Sequence, residues 1–466
     1  MMRTQQVRFP DAFIVSSPGL PYLGIIMENG ATRQPNAARE RPLPSQTRCV
    51  LSPQSRSQVS PSLAFLAVRV FLPFGLGYFL SQLYRTVNAV LGPMLRDELG
   101  ISASSLGLLT GAFFLAFALV QMPLGMALDR YGPRRTQAVL LTVTAIGAVL
   151  FSLGGDTLSL ALARAVIGVG VSGCLLASFK AFALWFEKGR LPLVNGLVMA
   201  CGSLGVMTAS TPVQALATAL GWREVFHILA AISIVVAIVI FLVVPEKHVE
   251  GEPRTLADQI AGLKAIFGSP VFWSIAPLLA TAQSAWLSIQ ALWLGPWLRD
   301  MAGLDAGAAA HALLLGGLGG ATGYILLGGL TERLGRLGVP VGAVAGSAVL
   351  VFIAVQGSLA LGIDLPPWAL TFAFAFFGGG ATLFYAGLTQ RFPVALAGRV
   401  NTSLALFVFS LAFALQVVTG LVLDLFPDSS GGYTAAGYRV AFGGWALVQI
   451  ACFLWFLLRY PRRPAG

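Results

Sequence analysis

The sequence predicts an all-α integral membrane protein, with twelve transmembrane helices in two pseudo-symmetric six-helix bundles. Three observations carry that expectation. The 466-residue chain is 56% hydrophobic and only 11% charged, with a mean hydropathy of +0.79. A soluble domain carries roughly 25% charged residues, so this chain cannot cover a water-facing surface and lipid must be its main solvent. Twelve apolar runs are each long enough, at ~1.5 Å per residue, to cross a hydrocarbon core of about 30 Å. Finally, one polar junction between such runs, Gly125-Met126-Ala127-Leu128-Asp129-Arg130-Tyr131-Gly132-Pro133-Arg134-Arg135, returns later as Gly328-Gly329-Leu330-Thr331-Glu332-Arg333-Leu334-Gly335-Arg336. A repeated junction in an apolar chain implies two homologous halves.

Taken in order, residues 1–62 are rich in Pro, Ser, Gln and Arg and read as a disordered cytoplasmic tail. The apolar patch at 13–26 is short and broken by prolines, so it is neither a signal peptide nor a span. Translation from near Met27 or later is an alternative. Runs 67–92, 103–127, 136–154, 157–184, 191–213 and 223–245 form the first bundle, within residues 63–245. The charged stretch 246–269 is a cytoplasmic linker. Runs 270–296, 306–331, 339–361, 366–388, 399–424 and 438–459 form the second bundle, 270–460, and 461–466 is a tail. Only helices satisfy the backbone when so many separate runs cross lipid without strand alternation.

The loops give orientation. Even-numbered runs are followed by Arg130, Arg134 and Arg135; by Lys188 and Arg190; by Lys247, Arg254 and Lys264; by Arg333 and Arg336; and by Arg391. The opposite loops hold Asp97, Glu98, Asp156, Asp300, Asp305, Asp364, Asp424 and Asp428. The positive-inside rule therefore puts both termini in the cytoplasm of a multi-pass protein of the cell's inner membrane. The net charge of +11 is scattered between apolar runs, so it reads as topology and not as nucleic-acid binding.

The two junctions share one grammar: Gly, three residues, Asp or Glu, Arg, any residue, Gly. An acid and several arginines thus fall where one run leaves lipid and the next enters it. This pair resembles the signature loop of the major facilitator superfamily of secondary transporters, and the resemblance covers residues 67–460. It implies that Asp129 caps the free amides at the start of the eleventh helix, Gly398-Arg399-Val400-Asn401, while the cytoplasmic side is closed. By pseudo-symmetry Glu332 would cap the fifth helix near Gly189-Arg190-Leu191-Pro192. Gly125, Asp129, Arg130, Gly132, Arg134, Gly328, Glu332, Arg333, Gly335 and Arg399 are thereby expected to gate alternating access without binding cargo. Plain positive-inside anchoring is the alternative. It accounts for the arginines but not for the paired acids or the fixed glycines.

Arg85 stands near the middle of the first run. An arginine at bilayer centre costs about 2.5–3.5 kcal/mol on insertion scales, so it must face protein or water. Tyr78, Gln82, Arg85 and Asn88 recur at spacings of four, three and three, a polar stripe on an apolar helix. The stripe resembles the Arg-x-x-Asn site of the superfamily's organic-anion branch, although Tyr84 stands where that branch carries an acid. The alternative is that Arg85 bonds backbone carbonyls and only shapes the bundle. Arg164, in Leu160-Ala161-Leu162-Ala163-Arg164-Ala165-Val166-Ile167-Gly168-Val169-Gly170, matches the fourth-helix motif of the superfamily. That match implies a place in the charge network or the cavity, with Val171 where anion-branch members often carry glutamate. The glycines let a neighbouring backbone approach closely. Lys180 lies about 160° round a straight helix from Arg164, so both cannot point into one cavity; snorkelling to the cytoplasmic end is its alternative.

The seventh run carries Gln283, Trp286, Gln290, Trp293 and Trp297 at spacings of three and four. Gln283, Trp286 and Gln290 suit a cavity wall that orients a polar ligand, against core packing as the plainer reading; Trp297 reads as aromatic belt. Tyr385, Asn401 and Gln416 are further candidates, and His311 reads as structural.

No Asp or Glu lies near the middle of any proposed run, so the deep charges favour anions and repel cations. Nucleophile–base pairs, metal spacings and nucleotide motifs are absent, and Gly316–Gly320 and Gly378–Gly380 sit inside runs as packing faces. Of the four cysteines, Cys174, Cys201 and Cys452 read as inert packing residues, and Cys49 lies in the tail. No enzymatic activity, metal or cofactor is expected. The sequence reads as a monomeric secondary active transporter in a lipid bilayer, moving a small organic anion by rocker-switch alternating access, with a proton as one candidate co-transported ion. A proton-coupled drug or metabolite exporter and a non-transporting receptor of the same fold are the alternatives.

Overall fold

The computed structural model describes residues 62–247, 256–393, 396–428 and 432–460. The expected tails, 1–62 apart from Ser62 and 461–466, lie outside the described residues, as do positions 248–255 of the expected linker. In chain order the helices are α1 Leu63–Thr86, α2 Asn88–Leu99, α3 Ala103–Leu153, α4 Thr157–Val171, α5 Cys174–Trp185, α6 Leu191–Thr208, α7 Thr211–Leu220 and α8 Trp222–Val243. They continue with α9 Leu256–Phe267, α10 Pro270–Asp300, α11 Ala306–Arg336, α12 Val341–Leu361, α13 Pro367–Thr389, α14 Ala397–Asp424 and α15 Ala435–Arg459. Among the described residues the one extended pairing is an isolated bridge between Pro427 and Tyr433.

Among the described residues ten helices are long and apolar enough to cross a membrane, or eleven when the pair bent by 88°, Ile260–Phe267 with Pro270–Asp300, is counted as one span. One of the ten, α3, has 51 residues. Straight, it would run to roughly 77 Å, more than twice a hydrocarbon core. It is not straight: Gly132 takes φ 76° and ψ 167°, a conformation that a side chain resists. Division at Gly132 gives two arms that correspond to the second and third runs of the sequence. The polarity pattern is that of a lipid-solvated protein. Leu119, Ile146, Ile238, Ile325 and Leu447 stand exposed, while Gln137, Arg164, Gln356, Gln416 and Gln449 are wholly buried.

Part of the expected linker is helical. Leu263 and Ile266 of α9 are buried and Lys264 is exposed, so α9 lies with its apolar face on the bundle. α1–α8 pack chiefly among themselves, as do α10–α15, and the two sets are bridged by α3 with α14 and by α6 and α7 with α11. Residues 60–466 form one compact unit. One end of the helices carries Asp97, Glu98, Asp156, Asp300, Asp305 and Asp424; the other carries Arg130, Arg134, Arg135, Arg190, Arg333 and Arg336. These are called the acidic and basic ends below. At the acidic end Arg223 pairs with Glu98, and the Trp222 indole donates to the same carboxylate at 2.6 Å. The hydrogen bond from Arg223 holds the Glu98 carboxyl below its ordinary range.

Close helix contact depends on missing side chains. At Gly168 of α4, a Cβ would overlap the backbone of Phe113 in α3, and at Gly170 it would overlap Thr144. Because the opposing atoms are backbone, no rotamer change relieves the clash. Gly168→Ala is expected to cost about 1–3 kcal/mol and to lower the melting temperature of the purified protein by several degrees. An unchanged melting temperature would show that α3 and α4 pack more loosely than described.

Candidate functional site

The polar stripe of α1 reaches the middle of the molecule. Tyr78 and Gln82 are held one turn apart, with Gln82 Nε2 donating to the Tyr78 hydroxyl at 3.0 Å. Gly202 of α6 lies against the Tyr78 ring and the Gln82 stem, and Gly205 lies against the Phe79 carbonyl. These glycines bring α6 close enough to wall the stripe. Arg85 projects toward the place where α3 meets α14. Its guanidinium lies 5.4 Å from the Phe117 ring and 5.5 Å from the Phe409 ring, and those rings are 4.2 Å apart. Its Nε has no hydrogen-bond partner, and among the described residues no carboxylate pairs with it.

The opposite wall comes from α10 and α11. Trp286 and Gln290 of α10 and Tyr324 of α11 line the same cavity as Gln82 and Arg85, with Met199 and Ser203 of α6. Trp286 and Tyr324 meet edge to face at 6.3 Å, and the indole nitrogen of Trp286 is buried without an acceptor. Gln82 Oε1 is likewise buried without a donor. The cavity thus has unused donors and an unused acceptor around a space of about 20 Å³, room for about one water. A ligand enters it only if the walls part. The space on the basic side is larger: a cavity of about 200 Å³ lined by Gln121, Gly125, Asp129, Lys180, Arg399 and others.

The structure separates residues that the sequence grouped. Asn88 begins α2, beyond the break at Val87, and its Nδ2 donates to Thr110 Oγ1 at 2.9 Å. It is fully buried between helices and lines neither cavity. Arg164 is also fully buried. Its NH1 donates to the Tyr84 carbonyl at 2.9 Å, with the Phe113 and Phe151 rings at 5.7 and 5.5 Å. It lies inside α1–α8 and lines neither cavity, as the backbone-bonding alternative weighed for Arg85 would have it. Gln283 and Tyr385 are half-buried and also line neither one. Trp297 departs from the aromatic-belt reading: it is buried and donates to the Leu359 carbonyl at 3.0 Å. Tyr324, Phe117 and Phe409 are site residues that the sequence reading missed.

At the basic end Asp129 pairs with Lys180 at 2.5 Å, and Lys180 also donates to the Leu128 carbonyl at 2.8 Å. Lys180 and Arg164 do not share a cavity, as their angle round the helix implied: Lys180 lines the space at the basic end and Arg164 lines neither cavity. Arg134 donates to the Phe241 carbonyl at 2.8 Å, and Arg135 meets Glu246 at 2.6 Å. Arg130 lies over Tyr131. In the second junction Glu332 pairs with Arg336 at 2.6 Å on an exposed surface; Arg333 is exposed, and Gly328 and Gly335 face open space. Arg399 lays its stem over Gly262 of α9. Asp129 and Glu332 therefore hold partners within their own half and not the starts of α14 and α6, in a structure whose larger cavity opens on that same end.

Comparison with known proteins agrees with this architecture. A family model described as the Major Facilitator Superfamily matches residues 74–417. A probable sulfoacetate transporter of Cupriavidus necator is 27% identical over 303 residues, covering 60% of this chain and 68% of that one. A probable L-galactonate transporter of Escherichia coli K12 is 25% identical over 409 residues, covering 82% and 87%. The crystal structure of the nucleoside transporter NupG superposes with a TM-score of 0.67 at 14% identity, covering 84% of this chain and 99% of that one.

Truncation distinguishes the two deep arginines. Arg164→Ala leaves a void among Phe113, Phe151 and the Tyr84 carbonyl and is expected to lower the melting temperature by several degrees. Arg85→Ala only widens an existing cavity and is expected to shift it by about a degree or less. Equal losses in a thermal denaturation series would make Arg85 a structural residue.

Proposed function

The chain belongs to the Major Facilitator Superfamily and is a secondary transporter, and we propose that its cargo is a small organic anion carrying a carboxylate. The observation that carries this reading is Arg85. Its guanidinium lines a cavity inside an apolar bundle, and with no carboxylate partner among the described residues its charge is left to be answered by whatever enters that cavity. Gln82, Trp286, Gln290 and Tyr324 surround that position with hydrogen-bonding groups that orient a polar ligand, and Tyr78, which does not line the cavity, holds Gln82 from behind. The two relatives described above support the reading, since sulfoacetate and L-galactonate are both organic anions. Both are named as transporters, which favours carriage over enzymatic turnover.

The basic end is taken as the cytoplasmic face of a bacterial inner membrane, with both termini on that side and the chain acting as a monomer. Residues 63–245 and 270–460 are the two bundles that rock about the central cavity, and residues 246–269 tether them. In this reading Gly125, Gly132 and Gly328 let the junctions flex, while Asp129, Glu332 and their neighbouring arginines exchange partners between states. The pairs seen here, Asp129 with Lys180 and Glu332 with Arg336, belong to the state open toward the cytoplasm. Moving one negative charge inward against an inside-negative potential costs roughly 2.3 kcal/mol per 100 mV. Uptake therefore needs exchange or more than one compensating cation, and the proton is one candidate.

A thermal-shift screen of mono- and dicarboxylates and sugar acids, run on wild type and Arg85→Ala, tests the cargo. At least one anion should stabilise the wild type, with its apparent affinity lowered about tenfold or more in the variant. Stabilisation by cations alone would reverse the assignment of polarity. Gating is tested separately. Asp129→Asn should elute as a monodisperse protein but transport more slowly in proteoliposomes, and wild-type transport rates in that variant would remove Asp129 from the gate.

A further inference from the structure

The first arm of α3 and α14 run antiparallel, and they touch most closely at the acidic end. A Cβ at Gly107 would overlap the Gln416 carbonyl, and one at Gly420 would overlap the backbone of Ala103 and Ser104. The contact finishes in two hydrogen bonds. Asp424 Oδ1 accepts from the Ala103 amide at 2.7 Å, and Oδ2 accepts from the Ser104 amide at 3.0 Å. These amides open α3 and have no partner within their own helix. Ser102 Oγ serves the Ser105 amide at 3.2 Å, so the cap on α3 is shared between its own N-terminal side chain and a residue from α14.

Asp424 is the last residue of α14. There the carbonyl end of its own helix opposes a negative charge, whereas the amide end of α3 favours one. The carboxylate therefore draws its stabilisation from the facing helix. The basic end of the same two helices presents the mirrored arrangement, with Asp129 near the end of the first arm of α3 and the start of α14 opposite. There the bond is not made. Asp129 holds Lys180, and the cavity of about 200 Å³ touches both Asp129 and Arg399.

We propose that Asp424 is the latch of the gate at the acidic end. Its two bonds to Ala103 and Ser104 are made while the carrier is open toward the basic end, and they break when the acidic end opens. Asp424 and Asp129 are then reciprocal caps on one antiparallel helix pair, each able to close only when the other is released. This inference rests on alternating access and not on the cargo assigned above.

The test uses no substrate, so its failure is separate from a failure of the anion reading. Two reporters are placed in protein whose native cysteines have been replaced. Ser210→Cys is buried beside a cavity of about 20 Å³ on the acidic side of the centre, and Thr402→Cys lines the cavity of about 200 Å³ at the basic end. Asp424→Ala should raise maleimide labelling of the first by about tenfold, the population shift expected from losing one helix cap. It should lower labelling of the second, and Asp424→Asn, which keeps one acceptor, should fall between Asp424→Ala and wild type. Gly107→Ala, which wedges the same seam, should act in the same direction. If both reporters speed up in Asp424→Ala, the bundle has merely loosened and the latch is overturned. Unchanged labelling of both reporters in Asp424→Ala overturns it equally, whether or not Gly107→Ala responds.

Discussion

One constraint governs the rest of the structure: a guanidinium is kept inside an apolar helix bundle, and among the described residues no carboxylate answers it. Arg85 has the adjacent rings of Phe117 and Phe409 beside its guanidinium and a buried, unbonded Nε. The rings offset part of the cost of taking the charge out of water, and they do so without supplying an opposite charge. Arg164 shows the contrasting solution. It is equally deep, and its Nε and NH2 are likewise without partners, but NH1 is anchored to the Tyr84 carbonyl, the Phe113 and Phe151 rings lie over the group, and it lines neither cavity. One arginine is thereby packed into the scaffold, while the other lines the central cavity.

The rest of the structure explains how that cavity is exposed to one side at a time. Backbone-to-backbone contact between α3 and α14 closes the acidic end, and it is possible because Gly107 and Gly420 lack side chains. Among the described residues the basic end has no equivalent closure, and the space there is about ten times the volume of the central cavity. Two acids at opposite ends of one helix pair then differ in partner: Asp424 holds the facing helix, and Asp129 holds Lys180. Interfaces built this way have discrete arrangements and do not deform continuously, which suits a carrier that must not open both ends together.

Much of this was legible in the sequence, and the reasons differ by feature. Apolar run length showed the crossings, because a helix in lipid must satisfy its own backbone over a fixed thickness. The spacing of Tyr78, Gln82 and Arg85 showed a shared face, because one straight helix carries them. The same reasoning misplaced Asn88, since the helix breaks at Val87. It held for Lys180, which lies apart from Arg164 in the cavity at the basic end. Phe117, Phe409 and Tyr324 reach the site from three other helices. Nothing local distinguishes those two phenylalanines from the other 29 of the chain's 31. Asp424 read as one more acid of the loops, because its partner amides lie more than 300 residues away in the chain.

Charge selection at the centre is the claim on which the functional reading stands. It is tested most directly by exchange of a labelled organic acid such as L-galactonate across proteoliposome membranes, competed in parallel by the unlabelled acid and by its uncharged amide. The account expects the acid to compete and the amide to leave the exchange untouched. Equal competition by the neutral compound would contradict it, because a site built around an unanswered guanidinium cannot be indifferent to the charge of what it binds.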